Sequence, residues 1–142
     1  MPSGCDGCAE CALRCTAGIA VSRSEYRDML RELRGLPAAA RRRALTQPKE
    51  LPWADGATYR ACLFLDIDTR RCLVYPARPL ICRLFGRVPH LPCPREAFPP
   101  DLDARRQWRA YRRRTRRTFE EWLARDGYAG IDALLAAWEG LG

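Results

Sequence analysis

Eight cysteines carry most of the chemistry open to this sequence. Four crowd the N-terminus as Cys5-x2-Cys8-x2-Cys11-x3-Cys15, and Cys62, Cys72, Cys82 and Cys93 follow at intervals of 10, 10 and 11 residues. Thiolates are soft ligands, and an all-sulfur donor set selects zinc or an iron–sulfur cluster. A C-x2-C pair lets one tight turn aim two thiolates at one ion while backbone N–H groups donate to the sulfurs. The N-terminal spacing equals the first part of the bacterial ferredoxin run, with Thr16 where a proline usually follows. A two-cluster ferredoxin needs a second such run, and none is present, so a simple ferredoxin is not expected. Eight thiols suffice for two four-coordinate sites, or for one site plus structural or redox cysteines. The tight quartet points to a metal on spacing alone. The spaced quartet, taken alone, reads more readily as small buried hydrophobes.

Other side chains could support such a centre. Arg78 and Arg83 flank Cys82, where a cation would offset thiolate charge; the alternative is a salt bridge to Asp66 or Asp68. Tyr75 could donate its hydroxyl to a cluster sulfur or simply pack. His90 is the only histidine, three residues before Cys93, and no site needs it as a ligand. Asp66-x-Asp68 is expected to cap a turn rather than to hold a hard cation. A different chemistry is offered by residues 105–117, which carry Arg105, Arg106, Arg109, Arg112, Arg113, Arg114, Arg116 and Arg117. With Trp108 and Tyr111 nearby, this run could bind an anionic partner: RNA, an acidic protein or a membrane surface. Against that, Glu120 and Glu121 stand at i,i+4 from Arg116 and Arg117 and could pair with them on a solvated helix face. No G-x-S-x-G, P-loop, dinucleotide or metalloprotease motif occurs, so no catalytic residue is identified and nothing in the sequence demands an enzyme.

Composition sets the context. The chain has 142 residues, 47% of them hydrophobic, which fits one domain with a modest core. No stretch approaches the ~18–20 apolar residues of a membrane-spanning helix. Met1-Pro2-Ser3-Gly4-Cys5 has neither the basic nor the apolar region of a signal peptide, so a cytoplasmic setting is expected. There, clustered cysteines bind metal more often than they form disulfides. The net charge is +8, and Lys49 is the only lysine among 25 basic residues.

The segment Cys5-Asp6-Gly7-Cys8-Ala9-Glu10-Cys11 resembles the signature of the YkgJ-like cysteine-cluster family, described as zinc- or iron-chelating. The resemblance continues in Cys62-Leu63-Phe64-Leu65-Asp66, in the block from Arg71-Cys72 through Tyr75, Arg78-Pro79, Cys82-Arg83 and Phe85, and in Cys93. It covers residues 5–93. The family's adjacent fourth cysteine is Ala12 here, and Cys15 would take over its role. The resemblance implies metal binding and assigns all eight cysteines, Cys5, Cys8, Cys11, Cys15, Cys62, Cys72, Cys82 and Cys93, to the metal. It also touches the cysteine-rich region of bacterial flagellin lysine N-methylases, although this chain is too short to resemble such an enzyme in full.

The elements that must position these residues are short. Ser22-Arg23-Ser24-Glu25 is a capping box, and Tyr26, Met29, Leu30 and Leu33 follow at helical spacing as far as Gly35. Residues 38–45 form a second helix, and Pro48, Pro52 and Asp55-Gly56 mark a loop. Residues 59–65 and 71–75 read as the strands of a β-hairpin turning at 66–70. Pro79 opens a short helix from Leu80 to Phe85. One long helix is expected from Asp101 to about Asp126, with Trp108, Tyr111, Thr115, Phe119 and Trp122 on one face, and a last helix carries Ile131 to Trp138. The expectation is thus a mainly α fold with one small β-hairpin, a small cysteine-rich domain stabilised by its metal. It comprises a cysteine-cluster region over 1–100 and an Arg-rich helical region over 101–142. Its centre, iron–sulfur in slight preference to zinc, is structural or redox in use. The alternatives are an accessory subunit or enzyme in protein or RNA modification, and a nucleic-acid-binding module braced by metal.

Overall fold

The computed structural model describes residues 16–84 and 101–140. Cys5, Cys8, Cys11, Cys15, Phe85, His90 and Cys93 lie outside the described residues. Among the described residues the fold is mainly helical, with three two-stranded antiparallel sheets.

The first helix, α1 (Arg23–Arg34), starts at the predicted capping box. Ser22 accepts from the Glu25 N–H, and the Glu25 carboxylate accepts from the Ser22 N–H. Tyr26, Met29 and Leu33 bury one face of it. Helix α2 (Ala38–Thr46) follows Pro37 and brings Arg41 under the ring of Trp138, 5.0 Å from its centre. Strands β2 (Glu50–Pro52) and β3 (Thr58–Arg60) then pair across a turn at Asp55 and Gly56. Both turn residues have positive φ, 58° and 77°, which a tight hairpin needs and which aspartate and glycine tolerate. The expected loop over 48–56 is therefore half of a hairpin.

The predicted 59–65 strand is split. Its first part pairs backwards with β2, and residues 62–65 turn, with the Leu65 N–H donating to the Cys62 carbonyl at 3.0 Å. Only β4 (Leu65–Asp66) pairs with β5 (Arg71–Cys72). The turn between them is capped as expected, by the Asp68 N–H on Asp66 Oδ1. Arg43 from α2 adds bonds to both Asp66 and Asp68. Helix α3 (Leu80–Arg83) follows Pro79.

The expected single helix over 101–126 is two helices. Helix α4 (Leu102–Arg112) ends in the arginine run, and α5 (Phe119–Arg125) restarts at Thr118, whose side chain accepts the Glu121 N–H. Between them β6 (Arg117–Thr118) pairs with β1 (Ala20–Val21). The break has a local cause: Thr118-x-x-Glu121 is a second capping box. It also has a tertiary cause, because Trp122 Nε1 donates to the Val21 carbonyl at 2.8 Å. Glu121 closes this cap, so it does not stand one turn along a continuous helix from Arg117 as expected. Helix α6 (Ile131–Trp138) completes the described fold.

The core gathers Val21, Tyr26, Phe64, Val74, Phe119 and Trp122 together with Leu134 and Leu135 of α6. Phe119 is its hinge point, with its ring 4.8 Å from that of Phe64 and 5.2 Å from that of Tyr26. Helices α5 and α6 thereby share one core with the segments that carry Cys62 and Cys72.

Candidate metal centre

Cys62, Cys72 and Cys82 come from three different pieces of backbone: the 62–65 turn, β5 and α3. All three are half-buried, and all three line one cavity of about 120 Å³. Each piece is aimed by local structure. The 62–65 turn points the N–H groups of Phe64 and Leu65 at the Cys62 sulfur. The Val74 N–H points at Cys72. Helix α3 is tied down at its first residue, where the Leu80 N–H donates to Glu25 Oε2 at 2.6 Å. The other oxygen of Glu25 accepts the Tyr111 hydroxyl of α4, also at 2.6 Å. One carboxylate thus joins α1, α4 and the helix carrying Cys82.

Electrostatics divide between burial and cations. Burial pushes the Cys62 thiol up, against the Phe64 N–H and the Lys49 ammonium, which pull it down. Burial likewise pushes Cys72 up, to about 11. Burial thus favours the neutral thiol at both, and a metal that takes them as ligands must displace protons. The cavity wall is cationic, with Lys49, Arg60, Arg70, Arg71 and Arg78, while Glu120 is the only carboxylate among the described lining residues. Lys49 is buried; that burial lowers its pKa, and Cys62 is the first of the groups that raise it.

The donor chemistry fits a thiophilic metal: soft thiols, amide N–H groups directed at two sulfurs, and a positive wall to balance thiolate charge. Among the described residues no three Cys, His, Asp or Glu side chains form a group able to hold an ion by themselves. The three thiols face a common cavity without closing on one point. The first described residues, Thr16 and Ala17, lie beside the residues that precede Cys62. Thr16, which follows Cys15 in the sequence, bridges to Ala61, and the Ala17 N–H donates to the Arg60 carbonyl at 2.9 Å.

The remaining candidates separate. Tyr75 and Arg78 line the cavity, with the Arg78 guanidinium 3.8 Å from the centre of the Tyr75 ring. Arg83 is exposed at the end of α3. The alternative of an Arg78 or Arg83 bridge to Asp66 or Asp68 is taken up instead by Arg43. On α4, Arg106, Arg109 and Arg112 are exposed and Arg105 is half-buried; Arg113 and Arg114, just beyond the helix, are exposed as well. Arg116 packs over the rings of Trp108 and Tyr111, and Arg117 over Trp122, so these two brace the core. Sequence reasoning missed the second role of Glu25, the N–H donors of Phe64, Leu65 and Val74, and the cavity position of Lys49. For Lys49 the available signal was its being the one lysine in an arginine-rich chain.

Among the described residues no helix is long and apolar enough to cross a membrane. No curated protein and no solved structure matches this chain. A family model does match, over residues 4–116, which span the N-terminal quartet, the three cavity thiols and α4. The chain belongs to the CxxCxxCC family, described as a "putative zinc- or iron-chelating domain".

Proposed function

We propose that this protein holds an iron–sulfur cluster on its cysteines and uses it in a structural or redox role within the cytoplasm. The observation that carries the reading is the meeting of Cys62, Cys72 and Cys82, from three separate segments, on one cavity with N–H donors aimed at two of the sulfurs. Cys5, Cys8, Cys11, Cys15 and Cys93 complete the thiolate set, and Thr16 beside Ala61 supports the entry of the N-terminal quartet near Cys62. The ferredoxin-like N-terminal spacing favours iron–sulfur over zinc. A cluster supplies one-electron chemistry; the chain supplies hydrogen bonds to sulfur, positive charge and partial exclusion of water, which set a cluster's potential. We read the chain as a single domain, which one core with members from Val21 to Leu135 supports.

Anaerobic purification followed by metal analysis and a visible spectrum tests the proposal. A brown protein with iron and acid-labile sulfide is expected, and Cys62→Ser, Cys72→Ser and Cys82→Ser should each lose most of the bound metal. A colourless protein carrying stoichiometric zinc overturns the iron–sulfur assignment. Full metal retention in all three variants overturns the site.

A second reading concerns RNA. Arg105, Arg109 and Arg112 recur at helical spacing on α4 along the flank of the face buried by Ala104 and Tyr111, and Arg106, Arg113 and Arg114 lie alongside. Among the described residues none of these six makes an ion pair. Trp108 lies under Arg116, so the face offers charge for phosphates rather than rings for bases. Six phosphate contacts to a single strand give a salt slope of about −4, and replacing Arg112, Arg113 and Arg114 with alanine should reduce it by about 2. An unchanged slope removes this reading, as does binding to an acidic peptide without binding to RNA.

A further inference from the structure

Two arginines on the cavity are held in ways that a merely solvated arginine does not need. Arg70 is one of two non-glycine residues with positive φ among the described residues, at 58°. The other is Asp55, whose short polar side chain can bond locally in that region; an arginine side chain cannot, and glycine would fill the place without strain. Arg70 closes the turn between β4 and β5, where its N–H donates to the Asp66 carbonyl at 2.7 Å. Backbone held in a sparsely populated region is a pointer to function, and Arg70 lines the cavity. Arg78 also lines it, at the end of the single helical turn Tyr75–Ala77. Its guanidinium lies 3.8 Å from the centre of the Tyr75 ring, and its Nε donates to the Tyr75 carbonyl at 3.1 Å. A guanidinium carries five N–H donors in a planar fork, so these contacts fix the group and leave its terminal amino groups for another acceptor. Among the described residues neither Arg70 nor Arg78 makes an ion pair, and neither does Arg60 on the same cavity.

We propose that Arg70 and Arg78 form a binding site for a small oxyanion, the carboxylate or phosphate of a small molecule, at the rim of this cavity. Guanidinium forks match both groups bidentately. The two arginines come from separate turns on one cavity, and Arg60 adds positive charge beside them. A fork already clamped on a ring loses little freedom when it binds, which favours affinity. These cations border a cavity of about 120 Å³ rather than a flat surface, and a concave site suits a small molecule better than the face of an acidic protein. The site uses none of the cysteines, so it goes beyond the metal-centre reading and does not depend on it.

The test titrates the full chain, as purified, with inorganic phosphate and separately with succinate, by isothermal calorimetry at constant ionic strength in chloride. Saturable binding of at least one is expected: phosphate alone marks the ligand as phosphate-bearing, succinate alone as a carboxylate. Arg70→Gly and Arg78→Gln should each bind about 10- to 100-fold more weakly, the loss of one charge-assisted contact. Arg70→Gly should melt no lower than the wild type, because glycine adopts positive φ freely, so its lost binding is not lost folding. Arg78→Lys keeps the charge without the fork and should fall between Arg78→Gln and the wild type. Arg27→Gln removes an exposed arginine of α1 that does not line the cavity, and it should bind as the wild type does. Absence of saturable binding for both anions overturns the proposal. So does wild-type affinity in Arg70→Gly or Arg78→Gln, or an equal loss in Arg27→Gln, which would leave net charge as the cause. None of these variants touches a cysteine, so a negative result leaves the metal centre standing, and a chain that holds no metal can still bind the anion.

Discussion

Removing the Glu25 carboxylate should cost far more than removing an ordinary helix cap. Its bond from the Ser22 N–H, 2.9 Å, is its half of the capping box, and it also accepts the Ser22 hydroxyl at 3.1 Å; such a cap is worth about 1 kcal/mol. Its bonds to the Tyr111 hydroxyl and the Leu80 N–H, both 2.6 Å, are charge-assisted and part-buried. Bonds of that kind contribute about 1.5–3 kcal/mol each, and they share one carboxylate, so they do not add fully. Glu25→Ala should therefore lose about 3 kcal/mol in urea unfolding, equivalent to about 10 °C in melting temperature for a chain of this size. Tyr111→Phe alone should lose about 1.5 kcal/mol by the same measure. In the double variant the Tyr111 effect should shrink, giving a coupling of about 1 kcal/mol or more. The Tyr111 hydroxyl is buried and its pKa is raised, first by desolvation and then by the Glu25 bond, so it acts as a donor across the accessible pH range. A loss in Glu25→Ala no larger than about 1 kcal/mol, with Tyr111→Phe additive to it, would show that Glu25 is only a cap and does not hold the Cys82 helix in place.

Two further outcomes follow from the same structure. The Arg43 guanidinium holds the Asp66 carboxyl at about 2, below its ordinary value of about 3.9. Its contribution to stability is thus present above about pH 4 and lost as pH falls toward 2. Unfolding measured from pH 6 to 2 should fall less steeply in Asp66→Asn, and an unchanged slope would refute the assignment. Phe119→Ala empties the position between Tyr26 and Phe64 and should cost about 3–5 kcal/mol; a loss under about 1 kcal/mol would mean the aromatic core does not depend on it.

The sequence by itself determined what depends on near neighbours and on ligand chemistry. The Ser22 capping box and the Tyr26, Met29 and Leu33 face produced α1 as read, because both rest on spacings of three and four along one helix. The thiol count and the N-terminal spacing pointed to a thiophilic metal, and the block around Cys82 to the family, because donor type selects the metal before any fold is known. The expectation of one long helix rested on the aromatic spacing from Trp108 to Trp122 and took no account of the capping box at Thr118. Tertiary structure decided the rest. Strand β1 pairs with β6 and Trp122 reaches Val21, contacts about a hundred residues apart that no local pattern encodes. The same folding turns residues 62–65 away from the expected strand, so that Cys62 meets Cys72 and Cys82 at one cavity. Glu25 shows the division within one side chain. Its bond to Ser22 spans three residues and could be read from the sequence. Its bonds to Leu80 and Tyr111 span 55 and 86 residues, and they exist only once packing has brought three helices to the same carboxylate.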